Sequence, residues 1–355
     1  MTALPHGSTI GILGGGQLGR MLSVAAGRLG YKAHIFEPGA APAGDLAAKV
    51  TQAEYTDLDA MREFARSVDA VTFEFENVPA SALDAIDTIC PIRPGRNALA
   101  VSQDRLDEKT FLNGLGLRTA PFATVDTVDD LKAAIDVIGT PAILKTRRMG
   151  YDGKGQVRVN ADTDLDAAFA ELNGASAILE GFVPFLTEVS LIAARGVDGQ
   201  VACYDPGENV HSDGILRTTT VPATLPARRR TDAVLLAANI LNALEYVGVL
   251  GVELFVTADA LIVNEIAPRV HNSGHWTQNG TSVDQFEQHI RAISGLPLGD
   301  GSRYADVVMQ NLIGDDMDQL PDLITQPNTA VHLYGKSDTR PGRKMGHVNI
   351  VSKLG

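Results

Sequence analysis

Short apolar runs alternate with helical stripes over the first hundred residues. Thr9 to Gly14 carries Ile10, Ile12 and Leu13, and Gln17 to Leu29 sets Leu18, Met21, Leu22, Ala25 and Leu29 on one helical face. A second apolar run from Lys32 ends at Glu37, a polar helical stretch occupies Asp57 to Arg66, and Ala70 to Glu76 is apolar again. This alternation predicts an α/β unit around a parallel sheet, with ligands beyond the carboxyl ends of its strands. The segments 14–19 and 74–77 lie at such ends. A charged, helix-like segment, Ser102 to Asn113, follows Pro91 and Pro94 and is expected to be a linker.

From about Ala120 the pattern changes. A helical stripe (Leu131, Ile135, Ile138) precedes 141-PAILKT-146, a glycine-rich loop, 156-QVRV-159, a helix and 177-AILEGFV-183. Strands joined by a loop imply a small antiparallel module. Longer strands with hairpin turns follow (Val189 to Ala194, Val201 to Tyr204, Val249 to Thr257, Leu261 to Ile266), then a helix around Val283 to Ile293 and a mixed tail. The later parts therefore read as α+β. The expected units are 1–103, 104–184 and 185–355.

Composition narrows the function. The 355 residues are 45% hydrophobic and 21% charged, ordinary for a soluble globular chain, and no apolar run approaches the roughly 20 residues of a membrane span. Two distant cysteines, Cys90 and Cys203, offer neither a disulfide framework nor a zinc site, and a cytoplasmic setting is expected. A net charge of −13 argues against nucleic acid as a partner but not against small phosphates, which need only a local cluster. Candidate clusters are Arg147-Arg148 and Arg340, Arg343, Lys344. Arg228 to Arg230 is expected on a solvated helix start, Trp276 in packing, His289 and His332 on ordinary faces, and His6 in a disordered leader.

Three motifs carry chemistry. Gly14, Gly16 and Gly19 satisfy the dinucleotide-binding spacing between strand and helix. In 145-KTRRMGYDGKGQ-156, Lys145 ends a strand and Gly150, Gly153 and Gly155 permit a concave nest of N–H groups. The loop opens into a strand rather than a helix, which suits a lid over polyphosphate. In 251-GVELFVTADALIVNEIAPRVHNSGH-275, a three-residue turn at Ala258 to Ala260 places Glu253 opposite Glu265, with Phe255 and Val263 on the same side. Opposed carboxylates about 4.5 to 5.5 Å apart at Cβ need a cation or a shared proton, and Mg²⁺ fits. In this register Asn264 faces away, and a metal role for it would require a bulge.

Lys145, the GYDGKGQ loop, Glu180, Val183, Glu188, His211, Glu253 and 264-NEIAPRVHNSGHWTQNG-280 resemble the ATP-grasp superfamily, and within it the N5-carboxyaminoimidazole ribonucleotide synthetase family. The likeness runs from GGGQLGRM to RPGRKMGH; the family pattern continues into a closing helical segment where this sequence ends, ten residues past Met345. It implies an ATP-grasp fold: an N-terminal Rossmann-like pre-ATP-grasp domain, a small lid domain and a mixed C-terminal domain. It also implies ATP-dependent carboxylation of aminoimidazole ribonucleotide with bicarbonate, ATP and Mg²⁺ as ligands and cofactors, and a homodimer.

By the same resemblance, Arg105 and Lys145 contact ATP phosphates and Gly150, Tyr151, Asp152, Gly153, Lys154, Gly155 and Gln156 close over them. Glu180, Gly181, Phe182 and Val183 hold the adenine edge, Glu188 the ribose, and His211 and Asn264 lie near the nucleotide. Glu253 and Glu265 carry Mg²⁺. Gly16, Gln17, Leu18, Glu74, Glu76, His271, Asn272, Lys336, Arg343 and Lys344 surround the aminoimidazole ribonucleotide, Arg269 receives bicarbonate or its phosphorylated form, and His271 is a candidate base. Two other readings stay open. A formate-dependent glycinamide ribonucleotide ligase shares the motifs, and a nicotinamide-dependent dehydrogenase would use the opening glycines.

Overall fold

The computed structural model describes residues 3–150 and 153–355. Tyr151 and Asp152, both expected to close over nucleotide, lie outside the described residues.

The chain opens with β1 (Thr9–Leu13), α1 (Gln17–Arg28), β2 (Lys32–Phe36), β3 (Lys49–Thr51), α2 (Leu58–Arg66), β4 (Ala70–Phe73), α3 (Ala80–Asp87) and α4 (Arg96–Ser102). The four strands form a parallel sheet in the order β3-β2-β1-β4. All of β4 and the last four residues of β1 and β2 are buried, as a parallel sheet covered on both faces requires. Helix α1 buries Leu18, Met21, Leu22 and Ala25 at the spacing of one face.

The expected linker is instead a docked helix, α5 (Arg105–Gly114), N-capped by Asp104. The exposed edge of a later strand explains the difference. Glu108 Oε1 accepts the Ile266 N–H at 2.6 Å and Lys109 Nζ donates to the Asn264 carbonyl at 3.3 Å, so helix side chains satisfy that edge.

Next come β5 (Phe122–Val125), α6 (Val128–Ile138), β6 (Ala142–Thr146), β7 (Gln156–Val159), α7 (Leu165–Ala170) and β8 (Ala177–Gly181). They make an antiparallel sheet, β5-β8-β6-β7, over a core of Val125, Leu131, Leu144, Val159 and Leu179. A reciprocal Thr127–Asp130 capping box starts α6.

The remainder comprises β9 (Thr187–Arg195), β10 (Val201–Cys203), β11 (Gly207–Ser212), β12 (Ile215–Val221), α8 (Ala227–Ala243), β13 (Gly248–Val256), β14 (Leu261–Ala267), α9 (Thr277–Gly280), α10 (Gln285–Ser294), β15 (Ala305–Ile313), α11 (Leu320–Leu323), β16 (Thr329–Leu333) and β17 (Lys344–Lys353). One antiparallel sheet runs β14-β13-β9-β11-β12-β15-β17-β16, with β10 beside β9. Helix α8 packs Ala233, Ala237, Ile240 and Leu241 against Val189, Leu191, Leu250 and Val252. A separate core joins Leu22 and Ala25 of α1 to Ile192, Trp276, Phe286 and Met309, which seats the parallel sheet beside the large one.

Trp276 packs as expected, edge-on to Tyr204, and Arg228 to Arg230 open α8 outside its buried stripe. Three histidine expectations are corrected. His289 is fully buried, joining Thr72 Oγ1 at 2.7 Å to the Val249 N–H at 3.1 Å and thereby linking two sheets. His332 stacks on His347 with ring centroids 4.6 Å apart. The His6 segment is ordered, because Leu4 N donates to the Ser294 carbonyl at 2.8 Å and Gly7 N to that of Gly30 at 3.0 Å. Among the described residues no helix is long and apolar enough to cross a membrane.

Candidate active site

Strands β13 and β14 place Glu253 opposite Glu265. The turn between them holds four residues, 257 to 260, because Val256 pairs with Leu261. Asn264 is the extra residue that restores the carboxylates to level, a β-bulge between the Leu254–Val263 and Glu253–Glu265 pairs. Leu254, not Phe255, therefore opposes Val263. The bulge also brings the Asn264 side chain beside Glu253.

Cations surround this pair unequally. Burial resists the charge on Glu265, but Arg105, 3.0 Å away, and Lys145 outweigh it and hold the carboxyl well below its usual range. Glu253 moves the other way, raised by burial and then by the Glu265 charge. Two opposed carboxylates with an amide between them are a hard, oxygen-rich set. This set fits a divalent cation whose shell is completed by phosphate oxygens. No group of three or more His, Cys, Asp or Glu disposed for a metal forms among the described residues.

A second set lies at the lid. Glu180 on β8 is buried with Lys145 Nζ at 2.9 Å and Lys109 Nζ at 3.3 Å on one carboxylate oxygen. Burial opposes its ionisation, yet the two lysines lower its pKa, while burial lowers that of Lys145. Glu180 Oε1 is buried without a partner. Gly181 ends β8, Phe182 lies under the Arg158 guanidinium, and Val183 follows it. His211 Nδ1 stands 2.6 Å from Glu188, an ion contact rather than a well-aligned hydrogen bond; burial opposes the imidazolium but Glu188 favours it.

The glycine-rich loop is tightly seated at both ends. Gly153 and Gly155 have φ of 74° and 71°. A Cβ on Gly155 would lie 2.6 Å from Thr146 Oγ1, and one on Gly153 would lie 3.3 Å from Gly214 at the β11–β12 tip. Gly150 opens the loop, and Lys154 and Gln156 are exposed. Arg147 and Arg148, candidates for phosphate, are engaged elsewhere. Arg147 forks onto Asp104 at 2.9 and 3.2 Å, and Arg148 donates to Gln103, which ties the loop base to α5.

The opening glycine turn holds the chain's own acids. Gly16 N donates to Glu74 Oε1 at 2.6 Å and Gly15 N to Glu37 Oε2 at 2.8 Å. Those N–H groups are the ones a dinucleotide pyrophosphate would need. Burial raises Glu74 to about 6 against the Gly16 N–H and Arg269. Gln17 begins α1 half-buried, whereas Leu18 sends its side chain into the core and leaves only backbone for a ligand.

Arg269 and His271 connect the two ends of the site. Arg269 pairs with Glu76 at 2.7 Å, and His271 Nε2 lies 3.5 Å from Glu253. Burial, then Arg269, lowers His271 to about 3, which makes it neutral and a weak base. Both side-chain polar atoms of Asn272 are buried without partners. Lys336, lowered to about 8 by burial and by Arg343, donates to the Lys344 carbonyl, and Arg343 donates to that of Asp338 at 2.9 Å. Arg340 stays on the exposed surface beside Asp338.

Sequence patterns missed Glu108, Lys109, Ser273 and Gln285. Their partners are largely backbone groups or buried charges, which leave no periodicity; only the acidic-basic doublet within a helical segment marked the first two.

The strand-loop-strand lid, the carboxylate hairpin and the convergence of Lys145, Glu180, Glu188 and Glu265 define an ATP-grasp enzyme. The ATP-grasp domain family matches residues 110–286, the ribonucleotide synthetase preATP-grasp domain 7–103, and the phosphoribosylaminoimidazole carboxylase C-terminal domain 307–354. The chain is 53% identical to the N5-carboxyaminoimidazole ribonucleotide synthase of Brucella melitensis, over 99% of this chain and 98% of that one. It belongs to the N5-carboxyaminoimidazole ribonucleotide synthase family. An ADP complex of such a synthetase superimposes with a TM-score of 0.96 at 40% identity, covering 99% of this chain and 94% of the other. An Aspergillus clavatus synthase in complex with ADP and 5-aminoimidazole ribonucleotide gives 0.93 at 30% identity, covering 98% and 94%.

Proposed function

We propose that the protein carboxylates 5-aminoimidazole ribonucleotide at the expense of ATP, giving N5-carboxyaminoimidazole ribonucleotide, ADP and phosphate in purine biosynthesis. The carrying observation is the level pair Glu253 and Glu265, bracketed by Arg105 and Lys145 on one side and by His271 on the other. The same kinship is carried by the Brucella melitensis synthase and the Aspergillus clavatus complex with ADP and 5-aminoimidazole ribonucleotide.

Bicarbonate is an anion and a poor electrophile, so it must be activated. Phosphoryl transfer from ATP gives carboxyphosphate, whose carbon, directly or as CO2, the amine can attack. Glu253 and Glu265, with Asn264, would hold Mg²⁺, which when bound offsets the charge of the transferring phosphoryl group. Arg105 and Lys145 are placed to exchange their carboxylate partners for phosphate oxygens. The loop around Gly153 and Gly155 excludes water from an intermediate that water would destroy. Arg269 receives bicarbonate or carboxyphosphate. Glu74, Glu76, Gln17, the Gly16 turn, Asn272, Lys336, Arg343 and Lys344 surround the ribonucleotide, and the unpartnered Asn272 amide supports this. Glu188 and His211 face the ribose, and Glu180 to Val183 the adenine.

The units 1–103, 104–184 and 185–355 serve as ribonucleotide domain, lid and metal-bearing domain. A homodimer is part of this reading. So is the cytoplasm, supported by the unpaired Cys90 and Cys203.

The test supplies ATP, Mg²⁺, bicarbonate and aminoimidazole ribonucleotide and reads ADP and the carbamate together. ADP release indifferent to bicarbonate or to the ribonucleotide would refute the reading. Formate replacing bicarbonate would favour the glycinamide ribonucleotide ligase. The dehydrogenase reading loses its basis because Glu37 and Glu74 hold the opening N–H groups.

A further inference from the structure

Gln285, the first residue of α10, is fully buried. A buried primary amide is costly unless its donors and acceptor are paired. Here Oε1 accepts the His271 N–H at 2.9 Å, and Nε2 donates to the His271 carbonyl at 2.8 Å and to His275 Nδ1 at 3.0 Å. One side chain thus grips both backbone groups of His271, as a neighbouring strand would. Its own N–H is fixed on Thr277 Oγ1 at 3.0 Å.

The surroundings make room for this grip. A Cβ on Gly274 would come within 2.6 Å of Gln285 Oε1, and one on Gly251 within 2.8 Å of His271 Cβ. The ring is set as well. Ser273 N and Oγ lie 3.4 and 2.8 Å from His271 Nδ1, and a nitrogen that accepts a backbone N–H must offer its lone pair there. The ring proton is therefore assigned to Nε2, facing Glu253.

We propose that Gln285 is a positioning residue for carboxylation. It holds His271 with Nε2–H aimed at the carboxylate pair, so that His271 serves as a hydrogen-bond donor rather than a general base. This rests on the reading of His271 as part of the carboxylation site.

The test is a double-mutant cycle of Gln285→Leu and His271→Ala, reading kcat for carbamate formation, KM for ATP and the melting temperature. Misplacing an active-site group by about 1 Å can cost roughly 100-fold. Gln285→Leu is accordingly expected to lower kcat about 10- to 100-fold with KM for ATP within about twofold. The double variant should be no slower than His271→Ala alone. Losses that multiply, or a loss that falls on KM for ATP, would make Gln285 merely structural and overturn the proposal. A His271→Ala enzyme with parental kcat would overturn the site reading of His271 and the proposal with it, while bicarbonate-dependent carbamate formation would leave the overall activity standing. Should Gln285→Leu fail to fold, Gln285→Asn keeps the amide's donors and acceptor one methylene short of His271 and carries the same cycle with a smaller expected loss.

Discussion

Glu253 and Glu265 face each other across a hairpin whose paired segments, 251–256 and 261–267, differ by one residue in length, and Asn264 takes up the difference. Each carboxylate is thereby needed where it stands. Glu265→Gln is expected to lower ADP release about 1,000-fold, the scale of losing a principal electrostatic group, with the fold preserved and the melting temperature modestly lowered by the loss of the Arg105 ion pair. An active Glu265→Gln enzyme would remove both carboxylates from the metal role.

The loop seat makes a second expectation. Gly155→Ala must accommodate a side chain at φ 71° and 2.6 Å from Thr146 Oγ1. KM for ATP should rise about tenfold or more, while ribonucleotide binding measured without ATP stays unchanged. Unaltered ATP kinetics would show that the loop does not close on the nucleotide.

At the opposite end, a Cβ on Gly16 would lie 2.7 Å from Glu74 Oε1. Gly16→Val should displace Glu74 and impair the ribonucleotide far more than ATP. Equal damage to both, in isothermal titrations with each ligand, would count against the assignment of the first turn.

Lys109 is buried between Glu180 and the Asn264 carbonyl. Lys109→Met leaves Glu180 with Lys145 alone and should destabilise the protein by about 2–3 kcal/mol, somewhat below the usual penalty for breaking a buried pair. Urea unfolding checks this, and a parental midpoint would rule it out.

Acid should unfold the protein through its histidines. Burial lowers His34 to about 4 and His271 and His289 to about 3, and also depresses His275, His332 and His347. Each gains a proton on unfolding below its ordinary value of 6.5, so stability present above that pH is lost as pH falls. Glu74 and Glu108, raised by burial to about 6 and 8, act oppositely, as does Glu253, because folding there takes up protons. The six histidines outnumber the three carboxyls and His211, which Glu188 raises, so unfolding takes up protons on balance near pH 5.5. Denaturation midpoints between pH 5 and 6 measure this slope; a flat or inverted profile there would contradict it.

Much of this was legible in the sequence, for reasons that residues make plain. The parallel sheet showed in strands with nearly every residue buried, and the carboxylate pair showed because a turn and a two-residue period constrain register. The bulge stayed hidden because a three-residue turn without it and a four-residue turn with it align the same two acids. The last three of the nine strands of the large sheet read only as a mixed tail because β17 buries His347 and Asn349 and β15 buries Asn311, which erases the apolar alternation. Gln285 and Glu108 escaped notice because each bonds the backbone of a remote residue, 14 and 158 positions away.

The compensation at Asn264 also constrains how such a chain can change length. Deleting Asn264 alone would remove the bulge, leave Glu253 opposite Glu265 and cost only the amide between the acids. Tolerated single deletions in this hairpin should therefore fall at Asn264 rather than at the carboxylates' own paired neighbours.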